Sequence, residues 1–158
     1  MIALGARRVL GTVVAAAIIA GCSSGQPPAR VDLGGSTLGH CPADPRCVSS
    51  GDRDSHYIPP LKLRVGPAKA WQALVEVVAA LPRTTIVERR NNYLRAESRS
   101  LIFRCIDDLE FLFPGGREIA VRSAARGGYS DWGANRRRIE EIRRELAARG
   151  IVEPAVQR

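Results

Sequence analysis

The sequence predicts an α+β domain, a four-stranded antiparallel meander with two helices packed on one face, in the order helix-strand-strand-strand-strand-helix. Three observations lead there. Trp71, Leu74, Val75, Val78 and Leu81 recur at helical spacing between Pro67 and Pro82. Alternating or β-branched segments then fill residues 84–124, separated by turn residues. A second helical stripe, Ile139, Ile142 and Leu146, ends at Gly150. Consecutive strands flanked by helices favour hairpin connections over parallel βαβ units. The 158 residues suit one such domain and are too few for a TIM barrel or a two-domain dehydrogenase.

Each element has a local cause. Pro67 is acceptable in the first turn of a helix, and Pro82 stops the helix that Pro67 begins. Thr84 to Arg89 opens with β-branched residues, and Asn91-Asn92 is a turn signal before a second strand, Tyr93 to Ser98. Leu101 to Phe113 reads as a long third strand with Phe103, Cys105, Leu109, Phe111 and Phe113 on one parity, which predicts a buried, inert thiol at Cys105. Pro114-Gly115-Gly116 turns the chain into a fourth strand, Glu118 to Ala124. Ser130 or Asp131 caps the closing helix. Residues 51–66, with Pro59-Pro60, read as extended coil wrapping the domain.

The N-terminus carries an address. Arg7 and Arg8 precede an apolar stretch from Val9 to Ala20, of signal-peptide rather than membrane-span length. It runs into Ile19-Ala20-Gly21-Cys22, which resembles a bacterial lipobox. The resemblance implies lipidation at Cys22 after removal of residues 1–21. It places the mature protein in the cell envelope, held to the membrane through acyl chains on Cys22. Ser23, in place of Asp, favours the outer membrane, with the domain facing the periplasm. Residues 22–39 are rich in Ser, Gly and Pro and read as a flexible tether. Residues 40–150 form the single domain and 151–158 a C-terminal tail.

Charge narrows the partners. Basic residues outnumber acidic ones 24 to 16, for a formal charge of +8. Only Lys62 and Lys69 are lysines, so nearly all the positive charge is arginine. An exported arginine-rich protein meets lipid phosphate or other anionic envelope polymers, not nucleic acid. Cys41 and Cys47 enclose five residues, two of them prolines; that span and an oxidising compartment favour a disulfide. His40 and His56 are the only histidines, and their spacing to the cysteines matches no standard zinc site, so neither metal nor cofactor is expected.

Four separated segments, C-P-A-D-P-R-C-V-S-S, Y-L-R-A-E-S-R-S, F-R-C-I-D-D-L-E-F and V-R-S-A-A-R-G-G-Y-S-D-W-G-A-N-R-R-R-I-E, together resemble domain-of-unknown-function family 1499. The likeness covers about residues 40–146. Arg46, Cys105 and Ala125 depart from the family pattern. The resemblance implies a bacterial envelope-associated module and supplies no substrate.

The densest polar constellation lies in the same segments. It contains Arg104, Asp107, Asp108, Glu110, Arg122, Ser123, Arg126, Ser130, Asp131, Asn135 and Arg136, with Glu97 and Arg138 beside them. Asp107 shares the parity of the phenylalanines and needs an inward donor. Asn135, four residues before Ile139, faces the sheet. One reading is a structural network in which arginine–carboxylate pairs fix the register. A second is an anionic-ligand pocket, with Arg122, Arg126 and Arg136 converging near the start of the second helix. A third is a hydrolase or metal-dependent enzyme built on Asp107, Asp108 and Glu110. No G-x-S-x-G, H-E-x-x-H or P-loop motif accompanies those carboxylates, so no catalytic residue is assigned. The expected function is a non-enzymatic binding or envelope-maintenance module whose partner is an anionic envelope component or an envelope protein.

Overall fold

The computed structural model describes residues 37–101, 105–128 and 130–155. Its elements are β1 (Cys47–Ser49), β2 (Leu61–Lys62), α1 (Pro67–Ala80), β3 (Thr84–Arg89), β4 (Tyr93–Arg99), β5 (Ile106–Leu112), β6 (Glu118–Ala125) and α2 (Ala134–Ala148). The chain is α+β, with an antiparallel sheet ordered β1-β6-β5-β4-β3 and β2 also paired to β6.

The sheet therefore has six strands, not four. The two additional strands share the outer edge of β6. β1 lies opposite Arg122–Ala124 and β2 opposite Ile119 and Glu118. Ser50 fills the gap between them, exchanging hydrogen bonds of 2.9 Å with the Val121 backbone through its own N–H and Oγ. Strands of three and two residues are too short for alternation to reveal them, and what selects them is the unpaired edge of β6. β5 is also shorter than the sequence suggests. Ser100 and Cys105 bond to each other, Ser100 N–H to Cys105 O and Cys105 N–H to Ser100 Oγ, both at 2.9 Å, just ahead of the strand's first residue, Ile106. Phe103 lies outside the described residues.

The helices form where the apolar spacing places them. α1 begins on Pro67, and the extended backbone of Leu81 ends it ahead of Pro82. α2 stops at Gly150, whose φ of +70° suits a residue without Cβ. Gly115 and Gly116, with φ of +108° and +79°, make the tight turn into β6.

Both helices cover one face. α1 and α2 touch each other, α1 lying toward β3 and α2 toward β6 and β1. Leu94, Ala96, Leu109, Phe111, Ile119 and Val121 point up from the sheet into Leu74, Val77 and Val78 of α1 and Ile139, Ile142 and Leu146 of α2. Register explains this: Leu94 sits opposite Phe111, which sits opposite Val121, so one parity makes one apolar face. Ile151 and Val152 are buried in the same core, so the fold continues into the segment read as a tail. Leu38, at the end of the tether, is also buried. Arg143 of α2 is 3% exposed and donates to the carbonyls of Pro59 and Pro60 at 2.5 and 2.8 Å, holding the 51–66 segment against the helix.

Candidate functional site

Alternation along the strands divides the predicted constellation between the two faces of the sheet. Asp107 and Ser123 share the parity of Leu109 and Val121 and lie beneath α2. Asp108, Glu110 and Arg122 share the other parity and lie on the face away from the helices.

Beneath α2 the centre is Asn135, which is fully buried. Asp131 accepts hydrogen bonds from the N–H of Gly133 at 2.9 Å and from the N–H and Nδ2 of Asn135 at 2.8 Å each. This satisfies free donors at the helix start, so Asp131 performs the capping expected of it although Gly133 occupies the N-cap position. Asn135 Nδ2 also donates to Arg46 O at 3.1 Å. Its Oδ1 accepts from Ser123 Oγ at 2.5 Å and from Arg138 Nη1 at 3.1 Å. Arg138 Nη2 then reaches Asp107 Oδ2 at 2.8 Å, supplying the inward donor that Asp107 requires. Burial pushes the Asp107 carboxyl above the usual carboxylate range, and the Arg138 guanidinium pulls part of the way back.

On the other face the register poses an electrostatic problem. Glu97 stands directly opposite Asp108, a pairing that repels. Arg126 resolves it. Its Nε and Nη2 grip the two Asp108 oxygens at 2.6 and 2.8 Å, and the same Nη2 contacts Glu97. Arg95 adds contacts of 3.1 Å to Asp108 and 3.5 Å to Glu97. The hydrogen bond to Asp108, backed by Glu97, holds the Arg126 proton more tightly than usual. One step along the sheet, Glu110 accepts from Tyr93 Oη at 2.8 Å and pairs with Arg122 Nη1 at 2.6 Å. Burial first, and the Glu110 charge second, drive the Tyr93 phenol well above its ordinary value. Leu38, Tyr93 and Leu112 pack together beside these groups.

The remaining predicted residues stand apart. Ser130 is exposed and accepts the Trp132 N–H at 3.1 Å. Arg136 donates to Ser55 O at 3.0 Å. Arg104 and Cys22 lie outside the described residues. Arg122 and Arg126 are on the face opposite the helices, so they do not meet Arg136 at the start of α2. The residues that sequence reasoning missed are Arg95 and Tyr93. Their signal was present in Tyr93-Leu94-Arg95-Ala96-Glu97, where polar side chains alternate with core positions.

Cys41 and Cys47 form a disulfide. The histidines bind carboxylates instead of those sulfurs: His40 Nδ1 lies 2.7 Å from Asp52, and His56 Nδ1 lies 3.0 Å from Asp54. Among the described residues no group of three or more His, Cys, Asp or Glu side chains could hold a metal ion.

His56 is a built-in proton acceptor. Its Nε2 faces Asp44 O at 3.0 Å, and a carbonyl can only accept. Its Nδ1 faces the Asp54 carboxylate, so both ring nitrogens are placed to donate and the imidazolium is favoured. The carbonyl hydrogen bond is the main cause of a pKa raised above 6.5, with Asp54 adding to it. A raised value means the stabilisation is complete below pH 6.5 and is lost as pH rises through the folded-state value. His56→Gln is therefore expected to flatten the fall in unfolding temperature between about pH 6 and pH 8, the range in which histidine titrates. Thermal melts across that range check it, and an unchanged slope would refute the assignment.

The family described as "Protein of unknown function (DUF1499)" matches residues 37–146, and the chain belongs to it. No curated protein and no solved structure matches the chain.

Proposed function

We propose that this family member is a lipid-anchored envelope protein whose domain binds a partner or serves envelope maintenance without catalysing a reaction. The observation that supports this is the closure of its carboxylates. Asp107, Asp108 and Glu110 are 4%, 1% and 1% exposed, and each is held by an arginine within 2.8 Å. A general acid or base must touch its substrate, and a metal ligand must present free lone pairs. Here both oxygens of Asp108 face Arg126 and Arg95, both of Glu110 face Tyr93 and Arg122, and Asp107 Oδ2 faces Arg138. That arrangement favours a binding role over the alternative, a carboxylate-based hydrolase.

The anchor rests on the order of residues 1–22: basic flank, apolar stretch, small residues, cysteine. Fourteen residues separate Cys22 from Thr37, where the described chain begins. Fully extended, that length spans about 50 Å, so the domain can work at a membrane surface or reach beyond it. Ser23 favours the outer membrane with the domain in the periplasm. The partner is then an anionic envelope component or an envelope protein.

Intact-mass analysis of the full chain, expressed in a bacterium and extracted from membranes, tests the anchor. The expected product begins at Cys22 and carries acyl mass, and Cys22→Ser abolishes that mass. A mature N-terminus elsewhere, or an unmodified Cys22, overturns it. Hydrolysis of esters or phosphoesters that Asp107→Asn eliminates without changing thermal stability would overturn the non-enzymatic reading.

A further inference from the structure

One end of the sheet carries a surface unlike the rest. Arg99 lies opposite Ile106 and donates its N–H to Arg83 O at 3.0 Å, and Arg126 donates its N–H to Ile106 O at 2.9 Å. These bonds set the start of β3, the end of β4, the start of β5 and the end of β6 in one row. α2 begins at the same end, because Asn135 bonds Ser123 and Arg46 O, the latter also holding the N–H of Ala125. Leu101 projects from the loop after β4 and Trp132 from the loop before α2. At 73% and 86% exposure they are the two most exposed large apolar side chains among the described residues. Arg83 and Trp132, with φ of +54° and +53°, are also the only non-glycine residues in the left-handed region among those described. Such strained backbone persists where surrounding structure enforces it.

The charges left without an ion-pair partner there are of one sign. Arg83, Arg99 and Arg137 are exposed, and none has a carboxylate within ion-pair distance among the described residues. Arg83 Nε donates to Arg99 O at 3.1 Å and Arg137 Nη1 to Trp132 O at 2.7 Å, contacts that position the side chains without neutralising them. The neighbouring acids are already committed: Asp44 to Arg46, Asp107 to Arg138, Asp108 and Glu97 to Arg126, and Asp131 to helix N–H groups.

We propose that this end of the sheet docks on a bilayer containing anionic phospholipid, with Leu101 and Trp132 entering the headgroup region and Arg83, Arg99 and Arg137 meeting lipid phosphates. Charge complementarity selects the occupant. Guanidinium forks match phosphate, and tryptophan settles at the membrane–water interface. The inference deepens the envelope reading by naming its anionic partner, and rests on that reading only for the presence of a nearby membrane.

The test separates docking from anchoring. The main core lies wholly between Val48 and Val152, so a chain beginning at Ser23 and carrying Cys105→Ser, which leaves no cysteine outside the Cys41–Cys47 bond, keeps every element without a lipid. Its co-sedimentation is measured with vesicles of phosphatidylcholine alone and with phosphatidylglycerol added. Binding is expected only when phosphatidylglycerol is present, with a blue shift of tryptophan emission and release by high salt. Exchanging Arg83, Arg99 and Arg137 together for glutamine should weaken partitioning about a hundredfold, at roughly fivefold per arginine. Trp132→Ser should weaken it further and remove the blue shift. Unchanged melting temperatures keep misfolding out of the comparison. Equal binding to both vesicles, binding to neither, or unweakened binding by the triple variant overturns the proposal. Each of those results leaves acylation of Cys22, read by mass, untouched.

Discussion

Replacing Asp108 by asparagine is expected to destabilise the fold by about 3–5 kcal/mol, lowering the unfolding midpoint by roughly 10–20 °C. Asp108 is 1% exposed and accepts two hydrogen bonds from Arg126 and one from Arg95. Asparagine keeps the shape but removes the charge that justifies two guanidinium groups in a mostly dry site. It also turns an amide N–H₂ toward one of them. Removing one partner of a buried ion pair costs far more than the pair contributes, because the other charge remains desolvated and unmatched. Thermal unfolding followed by circular dichroism checks the prediction, and a loss under about 1 kcal/mol, the range of an exposed pair, would sink it. Apolar residues of similar volume at both 108 and 126 should recover part of the loss, because no orphaned charge is then left between those positions.

The second large effect is expected at Asn135. Asn135→Leu preserves size yet removes a carbonyl that accepts from Ser123 and Arg138 and an amide that donates to Asp131 and Arg46 O. The site is fully enclosed, so water cannot replace those partners. The cost is about 3 kcal/mol, from several buried groups left unsatisfied at once. Arg144→Ala, on the exposed side of the same helix, should stay within about 0.5 kcal/mol and calibrates the measurement. A comparable loss for both variants would mean that helix formation, and not the network, sets the stability.

What the sequence revealed and concealed follows from range. Pro67, Pro82 and Gly150 act on their own helices, so the helix limits were readable to within a residue or two. The inward placement of Asp107 was equally readable, since parity with Leu109 and Phe111 is a property of one strand. The division of the polar cluster between two faces was less visible. Asp107 and Asp108 are sequence neighbours, and only the pleat separates them. Arg95 and Tyr93 were missed because their importance depends on register with β5, which brings Arg95 opposite Glu110 and Tyr93 opposite Leu112. β1 and β2 were invisible for a similar reason: their partner, β6, lies dozens of residues downstream.

That separation carries a consequence for the order of assembly. The β3–β4, β4–β5 and β5–β6 pairings join neighbours in the chain, so their loop-closure entropy is small and they can form early. The contacts that recruit the N-terminal third span much longer loops, 71 residues between Ser50 and Val121 and 83 between Pro60 and Arg143. The first strands to be synthesised are therefore expected to be the last to dock, waiting for β6 and α2. The Cys41–Cys47 bond spans six positions and needs no sheet, so it can close while its own strand is still unpaired. A transient hairpin-only intermediate would leave the outer edge of β6 as the aggregation-prone template of the folding chain, until β1 and β2 arrive to occupy it.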